Sequence, residues 1–426
     1  MHKLFLLLFL LLAGFSVFSQ PDSMIIVNGK LVYQKNKNKT SRAEASAPLS
    51  SKVMIVGKGS GEINIKFLTN KRVKIRKGTY TGIHIENVSN VKIDAAHVRI
   101  RGGALDISTA NKLEVSGMAI ADVTYRAVNI RGFCNDLYLH DMSFKNIGNN
   151  TITYEFATVY DGTDKTVSKN WKFERLTFEN TGTGFSAGGG YEGNGVFGIL
   201  RNFKFLNNTI KNCPSIGNII YSGAAEDYEI AGNVVDNVNT NYSKESPNGI
   251  HNGIFMMTGT GSFHHNKITN HQGNAIRAWG MNYGTAKNEI LIYNNTIYNS
   301  WKYSAFELQV TPDMQSFIAK NPSKASFANA KVYHNTAGRL NVSKDWEGQM
   351  LDLYTTGGTV EYYNNLGFEM NRSEGEVTDM INWNGTTIVT RNSDNRYFPT
   401  ESKAVANTNT FDTRYKGIGA GAFIYQ

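Results

Sequence analysis

The chain has only two cysteines in 426 residues, Cys134 and Cys213, which is too few for a disulfide framework. In the repeat described below they lie about three levels apart, and levels ~4.8 Å apart put the pair beyond disulfide reach. We therefore expect two buried free thiols. Proline is scarce, and long amphipathic helical patterns are hard to find. The abundant Gly, Asn, Thr, Tyr and Val residues are typical of strands joined by tight turns.

The chain has a single long hydrophobic run, and this run lies at its N-terminus. Residues 4–12 are apolar without a break, Lys3 precedes them, and Val17-Phe18-Ser19 forms an acceptable cleavage site. This pattern is typical of a secretory signal peptide over residues 1–19. The run is too short to span a membrane with margin, and no Cys follows it that could carry a lipid. We expect a secreted or periplasmic protein whose mature chain has no integral membrane segment.

The chain carries 44 Lys and Arg residues against 35 Asp and Glu residues, a formal net charge of +9 at pH 7. Such a balance favours attraction to a polyanion. Export and the lack of a clustered Arg/Lys helix argue against nucleic acid as the partner. We therefore expect an anionic polysaccharide substrate, no nucleic-acid partner, and a monomeric protein.

A degenerate eleven-residue repeat decides the architecture. It is apolar at positions 1, 3 and 8, with Asn, Gly or Asp near positions 5 and 6. Its copies are Leu113–Val123, Leu137–Ile147, Trp171–Thr181, Phe203–Cys213, Tyr228–Val238, Gly261–His271, Ile290–Ser300, Ala330–Leu340 and Val360–Met370. Alternating apolar residues make short strands with one buried face. A strand this short cannot bury its apolar face alone, so successive copies must stack in parallel.

Asparagine recurs at two positions of this repeat. Position 6 is occupied by Asn208, Asn233, Asn266, Asn295, Asn335 and Asn365, and position 10 by Asp122, Asn146, Asn180, Asn212, Asn237, Asn270 and Asn299. Asn tolerates left-handed backbone and suits sharp turns. Recurrence at one turn position lets the side-chain amides bond along the stack as an Asn ladder.

This ladder resembles those of the pectate-lyase-like right-handed parallel β-helix superfamily, over roughly residues 60–390. The resemblance implies an all-β right-handed parallel β-helix of about ten or more coils, in a secreted protein that acts on a polysaccharide. We expect a cap at residues 20–60, and the β-helix with its loop insertions and C-terminal segment at residues 61–426. The resemblance identifies no subfamily.

A second strand follows each Asn-bearing copy, and its outward side chains are the candidate site. Alternation predicts that Ile254 and Met256 point inward, although a shift of one residue would invert any strand. The predicted outward set is Asn129, Arg131, Phe255, Met257, Arg277, Trp279, Glu307, Gln309, Asp352 and Tyr354.

Two mechanisms are open at this sheet, and β-elimination is the first. A polysaccharide lyase needs a cation against the uronate carboxylate, a role that suits Arg277. It also needs a base, for which the candidates are His251, Lys244 and Tyr242. The lyase subfamilies of this superfamily carry a Lys and an Arg on neighbouring strands. The preceding strand here, Gly253–Met257, has no Lys, which departs from that pattern.

Glycoside hydrolysis is the second mechanism, and it needs two carboxyl groups of which one stays protonated. Glu307 and Asp352, on neighbouring outward strands, are the best pair. The side chains expected to bind substrate around either site are Trp279, Gln309, Tyr354 and Arg131.

Less specific interpretations remain for the same residues. One is a plain ion pair between Arg277 and Glu307 across adjacent strands on a solvated face, and another is packing of Trp279 against a loop. The whole protein could be a non-catalytic glycan-binding or adhesin β-helix. The segment Asp161-Gly162-Thr163-Asp164 could hold Ca²⁺ through loop oxygens, but it lacks full EF-hand spacing. No metal ligand is otherwise assigned, and calcium is the only cofactor considered.

Overall fold

The computed structural model describes residues 23–27, 30–34, 48–155, 163, 166–187, 190–192, 195–197, 199–241, 253–284 and 287–407. The chain divides into two compact units, Met1–Ala45 and Ser46–Gln426. In the first unit, the strands Ser23–Val27 and Lys30–Gln34 form an antiparallel hairpin. The predicted signal peptide, residues 1–19, lies outside the described residues.

The second unit is a parallel β-helix, as the repeat predicted. Among the described residues, thirty-one of its strands belong to one sheet with parallel pairing, which falls on three faces, here called sheets A, B and C. Sheet A contains Val53–Val56, Thr69–Ile75, Asn135–His140, Ser168–Glu174, Leu200–Leu206, Glu289–Tyr293, Asn329–Tyr333, Thr359–Tyr363 and Ile388–Ser393. Sheet B contains Gly78–Tyr80, Ser143–Ile147, Thr177–Thr181, Thr209–Cys213, Val234–Val238, Lys267–His271, Thr296–Ser300, Thr336–Leu340, Leu366–Met370 and Arg396–Phe398. Sheet C contains Glu62–Lys66, Val128–Arg131, Ile152–Glu155, Phe185–Ala187, Ile276–Trp279, Phe306–Gln309, Leu351–Leu353 and Ile381–Trp383. Four longer strands continue around corners between sheets: Gly82–Arg101, Leu105–Val123, Ile220–Ala231 and Phe255–His264.

The core follows from the alternation in each strand. In Glu289–Tyr293, Ile290 and Ile292 are buried while the three residues that alternate with them are half-exposed. Each inward residue stacks on its counterpart in the next coil, as Ile292 does on Val332. Burial of one apolar face per strand in a shared interior is the main stabilising contribution. Cys134 and Cys213 are both buried free thiols, as expected.

A buried column of asparagines runs along the turns between sheets A and B. Each Asn side chain donates through Nδ2 to Oδ1 of the Asn one coil later, at 2.9–3.0 Å. Its members are Asn208, Asn233, Asn266, Asn295, Asn335, Asn365 and Asn395. The second Asn series bonds similarly, for example from Asn146 to Asp122, but its side chains are exposed. The two series look alike in sequence and differ in burial.

The strand beginning at Phe255 has the opposite phase to the one predicted. Phe255 pairs with Ile276 and contacts Phe205 in the interior, so it points inward. Met256 pairs with Arg277 on the outer face. The prediction that Phe255 and Met257 point outward was therefore wrong. The run Ile254–Met257 is apolar throughout, so it contains no polar residue to set the phase.

The chain segments inserted between sheets C and A form a small apolar cluster of their own, separate from the interior of the β-helix. The helix Pro312–Lys320 begins after Thr311, whose side chain accepts a hydrogen bond from the Met314 backbone N–H. Its buried face packs in a cluster formed by Val167, Ile199, Ala224, Met281, Tyr283, Val310, Met314, Phe317, Ile318 and Ala325.

The remaining elements are short. The antiparallel pairs are Gly190–Glu192 with Gly195–Phe197 and Met281–Asn282 with Ser326–Phe327, and the second helix is Glu401–Asn407. Among the described residues, neither helix has the length and hydrophobicity of a membrane-spanning segment.

Candidate active site on the outer face of sheet C

One residue per coil forms an outward column on sheet C. The cross-strand partners run from Met256 to Arg277, Glu307, Asp352 and Asn382. Neighbouring parallel strands are ~4.8 Å apart, so these five positions line up along the helix axis. The column therefore brings together the Arg and the two carboxyl groups that the sequence singled out.

Glu307 is held by a cation and an amide. The Arg277 Nε donates to Glu307 Oε1 at 2.5 Å, and Gln309 Nε2 donates to the same oxygen. The pairing of Arg277 with Glu307 across adjacent strands is as the sequence suggested. The face is not solvated, however, because the Glu307 side chain is 0 % exposed and that of Arg277 only 17 %. Buried charges of this kind persist only when paired.

Asp352 has a different environment. It is 1 % exposed, Ser304 Oγ donates to its Oδ2, and Asn382 Nδ2 donates to its Oδ1 at 3.0 Å. These donors are neutral, whereas Glu307 contacts a guanidinium. The two neighbouring carboxyl groups are thus held through different donors.

Tyr354 lies beside both carboxyl groups. Burial raises the pKa of its phenol to about 12, and the negative charges of Asp352 and Glu307 add to the effect. Its side chain is half-buried, as is that of Gln309. Tyr354 and Gln309 therefore form the accessible edge of the cluster.

Trp279 has a packing role in this structure. The Arg277 guanidinium lies 5.5 Å from the centre of its ring, and the ring packs against the apolar cluster around the helix Pro312–Lys320. Contact on these surfaces leaves less of the ring for a sugar than the sequence suggested.

The other predicted residues are not part of this cluster. Arg131 lies on sheet C five strands earlier, roughly 24 Å away at the usual strand spacing, and it faces Glu155 instead. Tyr242, Lys244 and His251 lie outside the described residues. In the calcium candidate Asp161–Asp164 only Thr163 is described. Among the described residues, no group of three or more His, Cys, Asp or Glu side chains could hold a metal ion.

Two members of the site were missed from sequence. Asn382 could have been found by extending the outward column by one coil, because it occupies the position that follows Asp352 in register. Ser304 lies in the turn before its strand, where alternation assigns no direction. No sequence signal marked it.

Comparisons with known proteins add little to this geometry. No family model matches the chain, and no curated protein matches it. Among solved structures, it is similar to endo-xylogalacturonan hydrolase from Aspergillus tubingensis, with 13% sequence identity and a TM-score of 0.26. The match covers 80% of this chain and 92% of the other. At this identity and TM-score it assigns neither activity nor residues, and the fold rests on the strand pairings above.

Proposed function

We propose that the protein is a polysaccharide-degrading glycoside hydrolase that uses Glu307 and Asp352 as its carboxyl pair. The observation that carries this proposal is that two buried carboxyl groups lie next to each other in one outward column. Glu307 contacts the Arg277 cation, and Asp352 accepts from the neutral Ser304 and Asn382. Hydrolysis of a glycosidic bond needs one carboxylate and one carboxylic acid side by side.

The environments suggest which group has which role. The Arg277 guanidinium holds Glu307 in the column, and Asp352 lies on the neighbouring strand in register with it. In the proposal, Asp352 protonates the leaving oxygen, and Glu307 acts as the base or nucleophile. Tyr354 and Gln309 contact the sugar next to the cleaved bond.

Hydrolysis is preferred over β-elimination because of the Arg277 ion pair. A lyase requires a cation that is available to neutralise a uronate carboxylate, and Glu307 already engages Arg277. The three proposed bases lie outside the described residues and lend no support. The net charge of +9 still favours an anionic polymer as substrate, and the N-terminal pattern over residues 1–19 favours a secreted or periplasmic location.

The burial of both carboxyl groups has a mechanistic consequence. Neither can contact a polysaccharide while it is buried, so productive binding has to open the surface above them. Exclusion of water from such a site strengthens its electrostatic interactions.

The proposal is tested by incubating the protein with uronate-containing, sulfated and neutral polysaccharides. We expect new reducing ends without the ultraviolet absorbance of unsaturated uronates. Asp352→Asn and Glu307→Gln should each lower kcat by about 10²–10⁴-fold. A matched control is Glu179→Gln, which changes an exposed carboxylate paired with Lys145 on sheet B and should leave turnover unchanged.

Each alternative has its own outcome. Unsaturated products would replace the hydrolase with a lyase. Retained binding without either product would indicate a non-catalytic glycan-binding protein. Normal turnover in folded Asp352→Asn would remove this residue from the mechanism.

A further inference from the structure

A separate cleft lies on the outer face of sheet A and has a volume of about 980 Å³. Its floor is formed by the strands Ile220–Ala231 and Phe255–His264. One wall comes from the Lys169 and Arg201 strands, and the other from residues 287–293 and Asn329. Glu307 and Asp352 do not line it, so the cleft is distinct from the proposed active site.

The connections between sheets C and A explain why a cleft forms here. The two strands that form the floor, Ile220–Ala231 and Phe255–His264, each continue from sheet C into sheet A without an inserted loop. The coil before them inserts residues between Phe185–Ala187 and Leu200–Leu206, and the coil after them inserts residues between Ile276–Trp279 and Glu289–Tyr293. The floor is therefore bordered on both sides by coils that carry extra chain.

The backbone of the floor is irregular. The pairing of its two strands shifts register around Ala225, and Asp227 adopts a left-handed conformation with φ of 52°. A Cβ at Gly259 would lie 1.6 Å from the Ala225 carbonyl oxygen, so only glycine fits there. Bulges of this type redirect side chains and are frequent beside binding sites.

Three of the four Lys and Arg side chains that line the cleft contact carboxylates. Lys204 Nζ lies 2.8 Å from Glu229, and Lys287 Nζ lies 3.2 Å from Asp227. Arg201 lies 2.8 Å from Glu226, which is fully buried. The cleft therefore presents alternating donors and acceptors without a strong field of one sign.

Glu229 remains an acceptor at neutral pH. Burial raises the pKa of its carboxyl group, but the hydrogen bond and charge of Lys204 more than offset this, so the pKa lies below its usual range. Uncharged polar groups add to the lining, namely Asn170, Asn202, Ser262, Asn288 and Asn329.

Aromatic stacking contributes little to this cleft. Tyr293 lines it, but both faces of its ring are covered, by His264 with a centroid distance of 4.8 Å and by Tyr333 at 5.1 Å. The ring can therefore offer only its edge and hydroxyl group. A ligand has to be recognised by hydrogen bonds.

We propose that this cleft binds a neutral saccharide segment through its hydroxyl groups, at a site separate from Glu307 and Asp352. A hydroxyl-rich ligand matches a lining of paired charges and amides, whereas an anion would have to displace Glu229 or Asp227 from its cation. Without a free aromatic face the affinity is modest, with Kd on the order of 1 mM.

The test fills the cleft with an indole. Ser262 is half-exposed on the floor, between Glu229 and Leu291 in register, so Ser262→Trp occupies the ligand volume. Ser116→Trp is the matched control, on the same outer face five strands earlier, roughly 24 Å away. Binding of xylohexaose and of hexagalacturonate is measured by saturation-transfer NMR. If the wild-type protein degrades either probe, every variant is measured in the Asp352→Asn background.

We expect xylohexaose to bind wild-type protein and Ser116→Trp equally, with at least tenfold weaker binding to Ser262→Trp and little dependence on salt. The proposal is overturned if xylohexaose does not bind, if folded Ser262→Trp binds it normally, or if only hexagalacturonate binds with steep salt dependence. Should Ser262→Trp fail to fold, Lys204→Met combined with Glu229→Gln removes one donor–acceptor pair and is expected to weaken binding similarly; unchanged binding would overturn the proposal. Xylohexaose binding without any polysaccharide hydrolysis would contradict only the proposed enzyme activity.

Discussion

Asn266→Ala should destabilise the β-helix more than any exposed Asn→Ala change, because it interrupts the buried Asn column. Asn266 Oδ1 accepts from the Asn233 backbone N–H at 3.2 Å and from Asn233 Nδ2 at 2.9 Å. Its Nδ2 donates to the Ile230 carbonyl at 2.8 Å and to Asn295 Oδ1 at 3.0 Å. The left-handed backbone conformation of this turn is adopted by the preceding residue, His265, and not by Asn266. Alanine at position 266 therefore adds no backbone strain.

The magnitude follows from the groups left without partners. The buried Asn233 N–H loses its acceptor, which costs about 1–3 kcal/mol. The three other lost hydrogen bonds together add about 1 kcal/mol, because Asn233 Nδ2 still donates to the Phe205 carbonyl. Asn295 Oδ1 keeps the hydrogen bond from the Asn266 backbone. We expect the free energy of unfolding to fall by about 2–4 kcal/mol.

Urea denaturation followed by far-ultraviolet circular dichroism measures this loss from the midpoint and the m-value. Asn129→Ala is the matched control, since its amide donates to Asp106 at a half-exposed position that water can reach, and it should cost less than about 1 kcal/mol. Equal losses in the two variants would show that the buried column does not contribute more than a surface hydrogen bond.

Two further predictions concern buried ionisable groups. Arg277→Met removes the cation beside Glu307 and should lower the free energy of unfolding by about 3–5 kcal/mol. Adding Glu307→Gln to this variant should restore most of the lost stability. If urea denaturation showed equal losses in the single and double variants, the two residues would not be a coupled buried pair. Burial lowers the pKa of His271 from 6.5 to about 4, so below pH 6.5 the unfolded chain binds a proton that the folded chain excludes. Stability should therefore fall by up to about 3 kcal/mol as the pH decreases through this window. A urea midpoint whose pH dependence is unchanged in His271→Leu would refute this assignment.

The fold could be predicted because the sequence of the repeat shows which residues of each strand point inward. In copies such as Leu113–Val123, polar residues separate the apolar ones at the start of the repeat, so the inward face is unambiguous. Where polar residues are missing, as in Ile254–Met257, the prediction of which residues point inward was wrong. The two Asn series illustrate a related limit, since Asn266 is buried in the turn before sheet B while Asn270 is exposed near the end of the sheet B strand Lys267–His271.

The site could be predicted only in part, because alternation gives a direction and not an environment. It correctly places Arg277, Glu307 and Asp352 in one outward column. Alternation cannot predict how deeply these side chains are buried, because their burial depends on segments that are distant in sequence. It also cannot identify a turn residue such as Ser304. The cleft on sheet A was missed for the same reason, since its walls come from coils with unrelated insertions.

The Arg277–Glu307 pair is as buried as the Arg201–Glu226 pair, and both differ from the exposed ion pairs on the first coils. Lys66 and Glu86 also face each other across neighbouring strands, but their side chains are 42 % and 38 % exposed, so little desolvation opposes them and they contribute little to stability. Covering Arg277 and Glu307 removes their hydration, and an apolar pair of similar volume would serve the fold at least as well. A charged pair at this position therefore has no advantage for stability alone. In the proposed chemistry this pair positions Glu307 next to Asp352, so the double variant Arg277→Met with Glu307→Gln is expected to be stable but inactive.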